Sequence, residues 1–174
     1  MKVAVIGGGS TYTPELVNGF IAGARELDLQ EVWLMDIDRA RLDIVGGYAW
    51  RMVEAAGKPF ELHLTTVRDD ALRDAAFVET QIRVGGMRAR LRDEELGARW
   101  GLVGQETTGV GGMAKALRTV PVILSVAQDM LALCPGAWLI NFANPSGLVT
   151  EAIQRYAPDV RSIGLCNGPI GIQM

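Results

Sequence analysis

The sequence predicts a doubly wound α/β domain on a mostly parallel sheet, and three observations carry that expectation. Apolar runs of strand character alternate with segments of helical period along the whole chain. The first run, Lys2–Ile6, passes directly into Gly7-Gly8-Gly9 and then into a helical segment. Clusters of glycines and polar residues recur where strands end, the edge at which open α/β sheets hold ligands.

Taken in order, Lys2–Ile6 is a first strand and not a signal peptide, because its apolar run is short and leads into glycines. A helix follows at about Pro14–Leu27, opened by Ser10-Thr11-Tyr12-Thr13 with Pro14 in its first turn. Val32–Met35 is the second strand. Arg39–Ala56 reads as a helix through the apolar face Leu42, Val45, Ala49 and Met52. Strands are expected at Phe60–Thr66 and Phe77–Val84, with a short helix around Asp93–Trp100. A long helix, Ala114–Leu133, carries the face Val120, Ile123, Leu124, Ala127 and Leu131. Trp138–Phe142, a helix Gly147–Tyr156 and a strand Ser162–Leu165 complete the alternation. Pro169 and the residues after it read as the first turn of another helix. Right-handed crossovers then join the strands in one Rossmann-like domain.

Composition narrows the function. A length of 174 residues suits one domain, and 49% hydrophobic with 21% charged residues is globular. A net charge of −3 gives no footprint for nucleic acid, and no uninterrupted apolar run has membrane-spanning length. Two cysteines outside any CxxC pair suggest a reducing cytoplasm. Cys134 reads as a buried small hydrophobe, and His63, the one histidine, as a packed or surface-facing strand residue.

The chemistry gathers at five places. Gly7, Gly8 and Gly9, with Ser10 and Thr11, form a turn that lets backbone N–H groups approach a pyrophosphate at a helix N-terminus. Asp36, at the end of the second strand, is placed to accept from an adenosine ribose and so to favour NAD. Arg39, just beyond, would welcome a 2′-phosphate. Tyr12 stands where a third glycine is expected, and Asp36 lies rather far along the chain. The arginines after Gly85-Gly86, Arg90 among them, are either an anion clamp or a solvated run. Gly104–Gly112 interleaves polar residues with glycine and would waste packing area unless something binds there. Glu106 in it is either an acid–base participant or a cap for the next helix. Asn144, before Pro145, either hydrogen-bonds a ligand or makes an Asx turn. Cys166, followed by Asn167 and Gly168, is a thiolate metal ligand or a nucleophile at a strand tip.

Together, Gly7–Pro14, Gln81–Gly86, Gly104–Thr107, Ala116–Val122, Asn141–Pro145 and Cys166–Pro169 resemble the glycoside hydrolases of family 4, glycosidases that depart from the two-carboxylate scheme. Within it, Asn167 resembles the 6-phospho-β-glucosidase branch, since the α branch carries Asp there. The resemblance implies bound NAD on Gly7, Gly8, Gly9, Ser10, Thr11, Asp36 and Arg39. It implies a divalent metal, usually manganese, on Cys166, although thiolate is soft and Mn²⁺ prefers oxygen. It implies substrate contacts from Arg90, Asn144 and Asn167. Glu106 and Asn167 take catalytic roles, Glu106 by making the catalytic tyrosine more basic. The family chemistry withdraws hydride from the sugar C3, eliminates the aglycone, adds water and returns the hydride. The implied partner is a phosphorylated disaccharide or aryl glucoside, and the implied complete enzyme is a homo-oligomer. The histidine ligand and the base tyrosine of such a site find no match here. The chain is therefore expected to be the amino-terminal part of a larger enzyme, binding NAD without hydrolysing any glycoside by itself. Two other readings fit the nucleotide fold: a lactate/malate-type dehydrogenase and a non-catalytic NAD-binding module.

Overall fold

A computed structural model of the chain describes residues 1–166. Among them six strands form one sheet: β1 (Lys2–Ile6), β2 (Glu31–Met35), β3 (Glu61–Thr65), β4 (Phe77–Thr80), β5 (Trp138–Asn141) and β6 (Arg161–Gly164). All five pairings are parallel, in the order β3-β2-β1-β4-β5-β6. The helices are α1 (Thr13–Gly23), α2 (Arg39–Ala55), α3 (Arg68–Leu72), α4 (Gly86–Ala98), α5 (Gly109–Leu133) and α6 (Ser146–Tyr156). This is the doubly wound, Rossmann-like sheet that the alternation of periods predicts. Strand order reverses between β1 and β4, which opens a crevice at their carboxyl ends.

Two separate cores sit on the two faces, because alternate strand residues point opposite ways. Val3, Val5, Val32 and Leu34 pack with Val17 of α1 and with Leu42, Ala49 and Val53 of α2. Ala4, Ile6, Val78 and Leu139 pack with Leu72 of α3, Ile123, Val126 and Met130 of α5, and Val149 and Ile153 of α6. Cys134 lies in this second core. His63 stacks on Trp33 with centroids 4.4 Å apart, a surface-facing strand residue.

The differences from the sequence expectation are local. The five-residue α3 is too short to show a period, yet it buries Ala71 and Leu72. The fourth strand ends at Thr80, not Val84, because Gln81 turns to bond the glycine turn. The weak helix at Asp93–Trp100 is the end of the longer α4. That helix starts where Gly85 takes a left-handed conformation (φ 81°) and is tied by the Arg90–Glu94 pair, 2.8 Å. Helix α5 begins at Gly109 and runs 25 residues through Pro121. By length and composition it could cross a membrane, contrary to the reading of apolar runs, and its inner side here is core. The glycines at its start are not wasted packing. A Cβ on Gly112 would lie 2.7 Å from the Thr107 carbonyl, so glycine is what lets the preceding loop rest on the helix. The helix expected from Pro169 lies outside the described residues.

Candidate active site

The carboxyl edge of the sheet collects the glycine turn after β1, Asp36 after β2, the Gln81–Gly86 segment after β4, Asn144 after β5 and Cys166 after β6. Gly7 takes φ 107°, and a Cβ there would meet the Gln81 carbonyl carbon at 3.0 Å, so the turn requires glycine. The amides of Gly7 and Gly8 both donate to Met35 O, at 2.9 and 2.8 Å, tying the turn to β2. Asp36 faces the turn: Oδ2 accepts from Gly9 N–H at 2.8 Å and Oδ1 from Asp38 N–H at 2.9 Å. Thr13 Oγ1 donates to Gly8 O, and Gln81 Nε2 donates to Thr13 Oγ1 at 2.7 Å and to Gly7 O at 3.2 Å. Gln81 is buried with Oε1 unpartnered. Ser10 Oγ accepts from Tyr12 N–H, and the Tyr12 ring stacks on Phe142 at 5.1 Å. An aromatic ring thus occupies the place of the missing third glycine.

Arg39 points away from this turn, in an exposed pair with Asp43 at 2.7 Å. The guanidinium beside the turn belongs to Arg41, which donates to Gly9 O through Nε at 3.2 Å and Nη2 at 3.1 Å. Sequence reasoning missed Arg41. Its signal was helical phase: Arg41, not Arg39, follows the Asp38 N-cap at the position that looks back at the turn.

The second cluster centres on Glu106. Its Oε1 accepts from Arg83 Nη1 at 2.5 Å and from Lys115 Nζ, and its Oε2 lies 3.3 Å from Arg90 Nη1. Burial raises the Glu106 pKa, but the Lys115 hydrogen bond and the charges of Lys115, Arg83 and Arg90 outweigh it and hold the carboxyl below its ordinary value. Glu106 does not cap α5: the N-cap is Thr108, with no side-chain cap bond. Nearby, Arg118 pairs with buried Asp93 and donates to Val84 O at 3.0 Å, which ties α4 and α5 to the segment after β4. Arg83 and Lys115 escaped sequence reasoning because a single Arg or Lys in a loop or helix looks solvated until a buried acid is set against it.

Asn144 Oδ1 is buried without a partner, so an Asx turn is not what occupies it. Asn141 makes the local turn instead, accepting from Ala143 N–H at 3.2 Å and from Thr80 Oγ1 at 3.0 Å. Leu165 N–H donates to Asn141 O at 2.9 Å, which delivers Cys166, exposed, to the edge. Asn167 lies outside the described residues. Among the described residues no three His, Cys, Asp or Glu side chains stand together as a metal cage.

Relatives fit this arrangement. The profile for family 4 glycosyl hydrolases matches residues 2–174. A probable 6-phospho-beta-glucosidase of Bacillus subtilis is 55% identical over all of this chain and 40% of its own length. A 6-phospho-beta-glucosidase of Escherichia coli is 50% identical, over all of this chain and 39% of its own. The 6-phospho-beta glucosidase of Thermotoga maritima, solved with manganese, NAD+ and glucose-6-phosphate, superposes with a TM-score of 0.93 at 40% identity. That match covers 99% of this chain and 42% of that one. A lactate dehydrogenase of Eimeria maxima reaches 0.61 at 15% identity, a likeness of fold alone. The chain spans about two fifths of the length of the curated relatives it matches. It belongs to family 4 of the glycosyl hydrolases.

Proposed function

We propose that this chain is the nucleotide-binding part, and part of the sugar site, of an NAD-dependent 6-phospho-β-glucosidase. The observation that carries the reading is its similarity, over its whole length, to two 6-phospho-beta-glucosidases at 55% and 50% identity.

The residues at the β1 end suit NAD. Gly7, Gly8 and Gly9 pack where a Cβ would collide with Gln81, Leu34 or Asp36, so only glycine makes this tight turn, Ser10 and Thr11 follow, and Asp36 is the acceptor for the ribose. The buried, unpartnered oxygens of Gln81 and Asn144 offer acceptors toward the nicotinamide side of the same edge. Bound NAD would supply a transient hydride acceptor, so that the sugar is oxidised and reduced again within one turnover. Metal is a different matter. Manganese accompanies the T. maritima relative, but the described residues bring one thiolate, Cys166, and do not by themselves make a site for it.

The protein groups act by binding and by charge. Arg90, half-exposed, presents its guanidinium to sugar oxygens or to the 6-phosphate, while Glu94 and Glu106 hold it in place. Glu106 stays ionised at neutral pH, so it serves as a fixed negative charge that favours a neighbouring proton acceptor. Arg83, Arg90 and Lys115 set three cations against Glu106 and Glu94, which leaves one positive charge to draw an anionic sugar.

The test is turnover of phosphorylated and unphosphorylated aryl β-glucosides by the complete enzyme containing this chain. Hydrolysis should need the 6-phosphate and added NAD. Equal turnover of the two substrates, or turnover in NAD-free enzyme, refutes the reading.

A further inference from the structure

The Glu106 cluster contains a group whose part the proposed chemistry treats only as a charge, although its position is unusual. Lys115 sits in α5, two turns from its start, with its side chain 2% exposed. Lysine is seldom buried this far, because removing an ammonium from water is costly unless a charge pairs with it. Among the described residues its ammonium donates to Glu106 Oε1. Arg83, on the segment after β4, holds the same oxygen from the other side, which leaves Oε2 to Arg90.

The geometry points to Lys115 as the positioning residue of this site: its buried ammonium fixes the Glu106 carboxylate so that Oε2, and through it Arg90, faces the ligand. The inference rests on the functional reading above, since it assigns Glu106 and Arg90 to the sugar. Three features of the arrangement support it. Lys115 and Arg83 come from different elements and converge on one oxygen, so the carboxylate cannot rotate without breaking two ion pairs. Lys115 does not itself reach the mouth of the site, because it is buried while Arg90 is half-exposed. Burial, and the charges of Arg83 and Arg118, weaken its hold on a proton, so its charge depends on Glu106 as much as Glu106 depends on it.

Carbon-13 NMR of the Glu106 carboxyl across a pH titration of the complete enzyme containing this chain tests this, comparing wild type with Lys115→Met and Lys115→Arg. Lys115→Met keeps the length and apolar stem and removes the charge. The Glu106 midpoint should rise by one pH unit or more, about a tenfold weaker acid, and the Arg90 Nε–H resonance should shift. Lys115→Arg should return the midpoint most of the way toward wild type. NAD affinity should stay unchanged in both, which reports an intact fold. A Glu106 midpoint within a few tenths of a unit of wild type in Lys115→Met overturns the proposal, because a lysine that merely fills space does not set its neighbour's acidity. Should Lys115→Met fail to fold, Lys115→Gln, which also removes the charge, is read by the same criterion. A glucose-6-phosphate titration of the wild type separates the two ideas. Absence of binding counts against the functional reading while leaving the Glu106 titration valid.

Discussion

Glu79 should make this domain less stable as pH rises from acid to neutral. Its position on β4 places it between Val5 and Ile140 of the flanking strands, 8% exposed, with Oε2 lacking any partner. Burial pushes its pKa up from 4.5 to about 8. The native state therefore keeps the proton over a range in which the unfolded chain has released it. Unfolding releases a proton there, so the contribution of Glu79 is greatest below pH 4.5 and falls as pH climbs toward about 8. The full gap of ~3.5 units, at about 1.4 kcal/mol each, corresponds to about 5 kcal/mol. Between about pH 5 and about pH 8 the same linkage leaves about 3–4 kcal/mol. Glu79→Gln removes the titration while keeping shape and polarity. Its unpaired amide adds a cost that does not vary with pH, so the pH dependence of the difference isolates the carboxyl. Urea unfolding of both proteins at several pH values supplies the measurement. The variant should gain about 3–4 kcal/mol on wild type from the acid to the neutral end. Parallel stability curves for the two proteins would show that Glu79 is solvated or paired in solution, and the argument from burial would fail.

Other outcomes can be stated more briefly. Arg41→Ala should weaken NAD binding in isothermal calorimetry by about 1–2 kcal/mol, since it loosens Gly9, whereas Arg39→Ala should leave affinity within error. Equal effects of the two would reverse the assignment. Gly112→Ala should cost about 1–3 kcal/mol in thermal or urea unfolding, because the new methyl meets the Thr107 carbonyl at 2.7 Å. An unchanged midpoint would mean that the loop carrying Glu106 is not seated on α5.

The strands, and the mostly parallel sheet they imply, were legible because alternating apolar runs and helical periods are properties of contiguous residues. The same holds for the glycine turn, whose three glycines and following Pro14 mark the strand-to-helix corner with no tertiary information. The element α3 was illegible because five residues carry no period. The start of α4 was hidden because an Arg- and Glu-rich helix has little apolar face and owes its place to Asp93, which bonds Arg118 25 positions away. The candidate residues fared unevenly for the same reason. Glu106 stood out within its glycine-rich loop, but Arg83 lies 23 positions before it and Lys115 nine after it on the next helix, and they meet only once α5 packs against α4. The choice between Arg39 and Arg41 needed the phase of α2 relative to the turn, which composition does not contain.

The two cores on opposite faces of the sheet give the domain two structural halves. Helices α1 and α2 support the nucleotide turn, and α4 and α5 support the arginine–glutamate cluster, with the sheet itself between the two cores. Substitutions that repack α5 can reshape the Glu106 cluster while the turn at Gly7–Gly9 keeps its anchors on β2 and Gln81. A lineage could therefore let one cluster drift while the other stays under separate selection.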